Sequence, residues 1–178
     1  MVFKEVALGE LCDFKYGKVI KNRDLLDYSK DLYPVFSGYG IVGYHTEYLF
    51  EEPQVIVVSR GVGGCGDVKM TPPKCFLTNL SIAVIPKKEV ELDKRFLYWS
   101  LLYSDTYSLI SGSAQPQITI NDLKEHKICY TTLKIQRKIS SILDSIQNKI
   151  ELNRRMNETL EQMAMALYKH WFVDFGPF

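Results

Sequence analysis

Between Leu133 and Gly176 the chain contains neither proline nor glycine, and its apolar residues recur at alternating steps of three and four. Ile139, Ile142, Ile146, Lys149, Asn153, Met156, Leu160, Met163, Leu167 and His170 line up as one heptad seam, polar in the middle at Lys149 and Asn153. The pattern predicts one helix over Leu133–Trp171, about 38 residues and roughly 57 Å long. Such a helix cannot bury its stripe along its whole length against the ~130 residues that precede it, so the seam calls for a partner helix. A helix folded back on its own domain is the competing reading. Lys149 and Asn153 favour the paired form, because mid-seam polar residues set register rather than fill a core.

The chain changes character near Thr131. Before it, short apolar runs are broken by Gly, Pro and Asn. Strands are expected at Tyr33–Phe36, Gln54–Ser59, Leu80–Ile85 and His126–Tyr130. The run Val55-Ile56-Val57-Val58 is continuous and β-branched, which places it at the buried centre of a sheet. Pro34, Pro53, Pro72, Pro73 and Pro86 border such runs, where a missing N–H does least harm. A helix is expected from Asp93, its cap, to about Tyr107, with Phe96, Leu97, Leu101 and Leu102 inward. Residues 1–132 therefore read as an α/β domain, mixed α+β and strand-rich. Residues 133–178 read as a long α-helix that forms a coiled coil with a partner.

Charge narrows the function. The net charge of +1 excludes a strongly basic, non-specific nucleic-acid coat, but leaves room for specific binding through a local patch. The balance is −1 before Thr131 and +2 from there on, so neither segment is a charge block. Cys12, Cys65, Cys75 and Cys129 form no CxxC pair, and His45, His126 and His170 supply no close ligand pair for a metal. No apolar run reaches membrane-spanning length and no signal peptide is recognisable. A cytoplasmic protein with reduced, mostly buried thiols is expected.

Three stretches offer binding chemistry. Lys15, Lys18, Lys21 and Arg23 fall within nine residues, interleaved with Tyr16, Gly17 and Asn22. Lysine and arginine neutralise phosphates, while arginine and asparagine read base edges through paired hydrogen bonds. A solvated loop is the plainer alternative. The second stretch, Ser59-Arg60-Gly61-Val62-Gly63-Gly64-Cys65-Gly66, follows the best strand. It suits either a phosphate cradle or a close backbone crossing, and it lacks the endings of a Walker A loop or a dinucleotide fingerprint. Arg60 and the nearby Lys69 join the DNA-facing candidates. The third, Gly112-Ser113-Ala114-Gln115-Pro116-Gln117-Ile118, continues into Thr119-Ile120-Asn121-Asp122-Leu123. Ser113, Gln115 and Gln117 can read bases there; turn capping is the alternative.

Catalytic constellations are missing. There is no HExxH, no GxSxG and no nuclease-type acidic cluster. Thr71-Pro72-Pro73 lacks the amide or carboxylate and the aromatic of an amino-methyltransferase motif. Cys65 beside Arg60 has no His or Asp tied to it by spacing as an activating base. Neither methyl transfer nor DNA cleavage is expected from the isolated chain, and no cofactor is called for.

Taken in order, these segments resemble the specificity subunit of type I restriction–modification systems. Leu8-Gly9-Glu10-Leu11 leading to Lys15-Tyr16-Gly17-Lys18 is similar to the family's opening turn and loop. Val55–Gly61 with Gly66, then Thr78-Asn79, stands where the family has a central strand and glycine turn. Gly112–Ile118 resembles the loop before the last strand of the recognition domain. Most specific is the tail, with Gln136-Arg137-Lys138-Ile139, Ile150-Glu151-Leu152-Asn153, Leu160-Glu161 and Leu167-Tyr168-Lys169-His170-Trp171-Phe172-Val173-Asp174-Phe175.

The resemblance implies a target recognition domain followed by a spacer helix. A full member carries two such units in tandem, with paired antiparallel spacer helices and two domains reading a split site in double-stranded DNA. Modification (methyltransferase) and restriction subunits, which bring S-adenosylmethionine and ATP chemistry, dock on it. Only one unit is present here, and the sequence stops at Phe175-Gly176-Pro177-Phe178, where the family pattern continues into a second domain. The expectation is a non-catalytic half-subunit that pairs with a second copy through Ile139, Ile142, Ile146, Asn153, Met156, Leu160, Met163 and Leu167. Two other readings compete. One is a truncated interaction protein that occupies the modification subunit without useful DNA recognition. The other is a small enzyme built on the glycine loop. DNA affinity that falls with salt separates the first reading from both.

Overall fold

A computed structural model of the chain describes residues 3–61, 64–112 and 115–176. It opens with strand β1 (Lys4–Ala7), one helical turn α1 (Leu8–Leu11) and strand β2 (Cys12–Tyr16). The hairpin β3 (Tyr33–Ser37) and β4 (Gly40–His45) follows, then β5 (Val55–Val58), β6 (Val68–Met70), β7 (Phe76–Leu77) and β8 (Ser81–Pro86). Helices α2 (Lys94–Leu102) and α3 (Ile120–Glu125) precede strand β9 (Lys127–Tyr130) and the long helix α4 (Leu133–Tyr168). The expected mixed, strand-rich domain followed by a long helix is what forms. The chain divides into two compact units, Met1–Arg137 and Lys138–Phe178, so the first turn of α4 belongs to the strand-rich unit.

Hydrophobic run length decides the centre of the first unit. All four residues of β5 are fully buried, as a strand covered on both faces requires. Strand β5 lies inside an antiparallel sheet of order β2-β8-β5-β6, and Ile56 packs with Leu77 and Ala83 in the core. A second sheet has the order β4-β3-β7, in which β3 and β7 run parallel. Strands β1 and β9 form a separate antiparallel pair. Four expected strands are present within a residue or two of their expected limits; β1, β2, β4, β6 and β7 have no counterpart among the expected strands. Strand β2 does alternate buried and exposed residues with period two, but its charged residues point to a loop. Strand β4 contains Gly40 and Gly43, which weaken any strand pattern.

Helix α2 is shorter than expected. Asp93 caps it, its carboxylate accepting the Phe96 amide at 2.9 Å, but the helix stops at Leu102 instead of continuing to Tyr107. Leu102, expected inside, is 39% exposed, and Trp99 is buried instead. At about 100° per residue, Leu102 falls outside the arc shared by Phe96, Leu97, Trp99 and Leu101. Thr119 and Asp122 form a reciprocal capping box that starts α3, so this end of the third polar stretch serves capping.

The start of α4 is locked by one side chain. Gln136 is fully buried; its carbonyl accepts the Asp93 amide at 2.8 Å, and its amide donates to the Glu91 and Thr131 carbonyls at 3.0 and 2.7 Å. Three backbone groups outside the strands and helices are thereby satisfied. Beyond Tyr168 the helix ends in one wider turn over Lys169–Val173, closed by the Asp174 amide on the Lys169 carbonyl at 2.8 Å. Among the described residues no helix is long and apolar enough to cross a membrane.

The cysteines are free thiols, with Cys12, Cys65 and Cys75 buried and Cys129 exposed. Burial pushes the Cys12 thiol up to about 12, assisted by the carboxylate of Asp13. Native protein at pH 8 is therefore expected to take up one equivalent of a thiol reagent, at Cys129, and three more only on unfolding. Mass spectrometry of labelled peptides checks this, and early modification of Cys12 would contradict the placement.

Candidate nucleic-acid interface

Antiparallel register gathers four chain segments at one end of the main sheet. Tyr16 pairs with Ile82, Val58 with Ser81 and Val57 with Val68. The ends of β2 and β5 therefore meet the beginnings of β8 and β6. Backbone hydrogen bonds stitch the emerging loops together. The Lys18 amide donates to Leu77 at 2.9 Å, the Asn79 amide to Lys18 at 3.1 Å and the Ser59 amide to Leu80 at 2.8 Å. Ile118 donates to Ser59 at 2.9 Å, and Arg60 bridges to Gln117.

The result is a cleft of about 370 Å³ lined by Arg60, Gly61, Leu80, Gln115, Pro116 and Gln117. Arg60, Gln115 and Gln117 converge there with exposed side chains, although the arginine is more than fifty positions from either glutamine in sequence. Paired backbone hydrogen bonds between Ser111 and Gln117, both 2.9 Å, close the arch that carries the glutamines. Ser113 lies outside the described residues. A guanidinium and two amides on loops anchored to a rigid sheet make a donor-rich surface suited to base edges.

The first cationic stretch divides. Lys18 is exposed beside Thr78, at this same sheet end. Exposed Lys21 precedes a short helical turn, Asn22–Asp24, that carries exposed Asn22 and Arg23, between the Lys18 tie and a second tie at Leu26, which pairs with Tyr44. Arg23 faces Asp24 at 3.7 Å, a solvent-exposed pair of small energetic weight. Lys15 stands mid-strand, opposite Ala83, with its ammonium 5.9 Å from the centre of the Phe50 ring. It is therefore set back from the cleft. Lys69 is engaged internally, donating to the Gly38 carbonyl and lying 3.7 Å from the Asp67 carboxylate. Tyr39, absent from the residues expected to bind, lies 57% exposed at the β3–β4 turn and covers Gly61 and Gly64. An aromatic between two glycines, Gly38-Tyr39-Gly40, is the signal in sequence that could have found it.

The model of the type I restriction modification DNA specificity domain matches residues 2–162. The chain belongs to this specificity family. The MjaIX specificity subunit of Methanocaldococcus jannaschii is 32% identical over 136 residues, covering 73% of this chain and 30% of that protein. The HindI specificity subunit of Haemophilus influenzae is 39% identical over 88 residues, or 46% of this chain and 19% of that protein. In fold, the chain is similar to the S subunit from Mycoplasma genitalium, with a TM-score of 0.73 at 23% identity, covering 96% of this chain and 49% of that one. The HsdS subunit from Thermoanaerobacter tengcongensis gives 0.64 at 22%, covering 96% and 44%. The chain spans half or less of the length of each of these specificity subunits.

The helical unit of this family member carries the seam. Ile142, Ile146, Met156, Leu160, Met163 and Leu167 are each between 53 and 58% exposed, Asn153 and Lys149 are exposed, and Ile139 is half-buried. Cys65, in the glycine loop, is buried, and its thiol donates to the Ser59 carbonyl at 3.5 Å. Burial, then the Asp67 carboxylate, push that thiol up, which keeps it neutral and poorly nucleophilic. Among the described residues no cluster of His, Cys, Asp and Glu could hold a metal ion.

Proposed function

We propose that this chain is a non-catalytic DNA-reading half of a type I restriction–modification specificity subunit, working in the cytoplasm. It binds double-stranded DNA through the sheet-end cleft and directs modification and restriction subunits to a two-part site. The observation that carries the reading is the convergence of Arg60, Gln115 and Gln117 in one cleft, with Lys18 at the same end of the sheet. Arginine matches the paired acceptors of guanine and glutamine the donor–acceptor pair of adenine, while Lys18, Lys21 and Arg23 reach phosphates.

Two copies pair through antiparallel α4 helices. Six exposed apolar seam residues in each chain favour this, because a second copy offers the same seam and places Lys149 and Asn153 near the crossing. Two-fold symmetry then makes the DNA site an inverted repeat with a fixed gap.

The test is selection of bound duplexes from a random pool, followed by salt titration. Arg60→Ala is expected to lose about 1–3 kcal/mol of discrimination at one base position per half-site. Lys18→Ala is expected to weaken all sequences alike and to lower the salt slope by about 0.9 for each phosphate that is no longer neutralised. A chain that enriches no sequence and binds no DNA, yet still binds the modification subunit, would favour an interaction protein instead.

A further inference from the structure

Gly61 and Gly64, in the glycine-rich stretch after Arg60, are covered from outside. Glycine occupies positions 61, 63, 64 and 66, a composition that by itself leaves a backbone loose. Tyr39 lies where side chains on this loop would be: a Cβ on Gly61 would stand 2.6 Å from the Tyr39 hydroxyl, and one on Gly64 3.1 Å from its ring. Gly61 also has φ +126°, which few other residues tolerate. The Lys69 ammonium fixes this tyrosine, donating to the carbonyl of the preceding Gly38 and lying 6.0 Å from the ring centre. On its other side Lys69 faces Asp67 at 3.7 Å, and Asp67 accepts the Tyr107 hydroxyl at 2.7 Å. That bond, and then the Asp67 charge, raise the Tyr107 hydroxyl above its ordinary value, so it stays a donor at neutral pH.

We infer that Lys69 and Tyr39 are positioning residues for base readout: they clamp the glycine loop so that Arg60 meets one base, and Lys69 does not contact phosphate. The inference rests on the DNA-reading proposal above and deepens it. It also moves Lys69 out of the direct DNA contacts expected from sequence. The ammonium donates to the Gly38 carbonyl and also lies 3.7 Å from the Asp67 carboxylate and 6.0 Å from the Tyr39 ring centre, so its charge already has internal partners. Reaching a phosphate would abandon all three. Gly61 and Gly64 held in place before binding leave more of the contact energy of Arg60 for discrimination.

Two measurements on the full chain decide this. In the free protein, Lys69→Met and Tyr39→Ala are expected to speed amide exchange at Cys65 and Gly66, which donate to Gly61 and Val58. Amides of Ile56 and Val57 in the central strand stay protected and report an intact fold, and Lys69→Arg restores loop protection. With a duplex selected by the wild-type chain and a scrambled duplex, Lys69→Met is expected to keep the wild-type salt slope. Its specific-to-scrambled affinity ratio falls roughly tenfold, at the base position that Arg60→Ala also relaxes. A slope lowered by about 0.9 would place Lys69 on a phosphate and overturn the inference. Unchanged loop exchange would overturn it too. A wild-type chain without sequence preference defeats the DNA-reading proposal, and the readout role with it, while exchange still decides whether the clamp exists.

Discussion

Replacing Leu160 and Met163 together with Asp is expected to leave a monomer at micromolar concentration that no longer holds a two-part DNA site. Both side chains are more than half exposed on the helical unit, so the substitutions leave the isolated fold largely undisturbed. In an antiparallel dimer four apolar side chains are removed from the interface, each contributing ~1.5–3 kcal/mol on burial, or about 6 kcal/mol at the least. That corresponds to a dissociation constant raised roughly 10⁴-fold. Analytical ultracentrifugation of wild type and variant reads the outcome directly. A wild-type chain that sediments as a monomer, or selects an asymmetric site, would defeat the dimer.

Gly17→Ala is expected to lower stability by about 3–5 kcal/mol, although it adds one methyl group at a half-buried position. A Cβ there would stand 2.2 Å from the Thr78 carbonyl oxygen and 2.3 Å from that of Leu77. Both are backbone atoms in tied strands, so neither can swing away. Relief requires separating Lys18 from Leu77 and Asn79, with loss of hydrogen bonds of 2.9 and 3.1 Å. Overpacking of ~1–3 kcal/mol plus about 1 kcal/mol for each bond accounts for this destabilisation. In a domain of this size that is roughly 10 °C in Tm. Thermal unfolding followed by circular dichroism checks it. Lys18→Ala, a solvent-exposed neighbour, is expected to melt like wild type, and an unchanged melting temperature for Gly17→Ala would refute the close crossing.

These two positions show what one-dimensional pattern conveys and what it hides. The seam around Leu160 and Met163 is legible because helix period, length and the lack of Gly and Pro are local properties. Val55–Val58 is legible as a buried strand for the same reason, and Asp93 as a cap. Gly17 points to a flexible loop, yet it is there because two backbones cross at a distance that admits no side chain. Gly61 and Gly64 likewise make room for Tyr39, a residue some twenty positions earlier. Lys69 reads as one more cation for DNA, while its partners are Gly38 and Asp67.

From the sequence alone came the long helix with its apolar seam, the buried central strand, the missing catalytic motifs and the family resemblance of the tail. Each depends on periodicity, composition or order along the chain, which folding does not alter. Only the tertiary structure could bring Arg60 against Gln115 and Gln117, set Lys15 back over Phe50 and commit Gln136 to three backbone groups. Most of those contacts join residues tens of positions apart. They follow from strand order and register, which are settled by packing the whole domain rather than by any one segment.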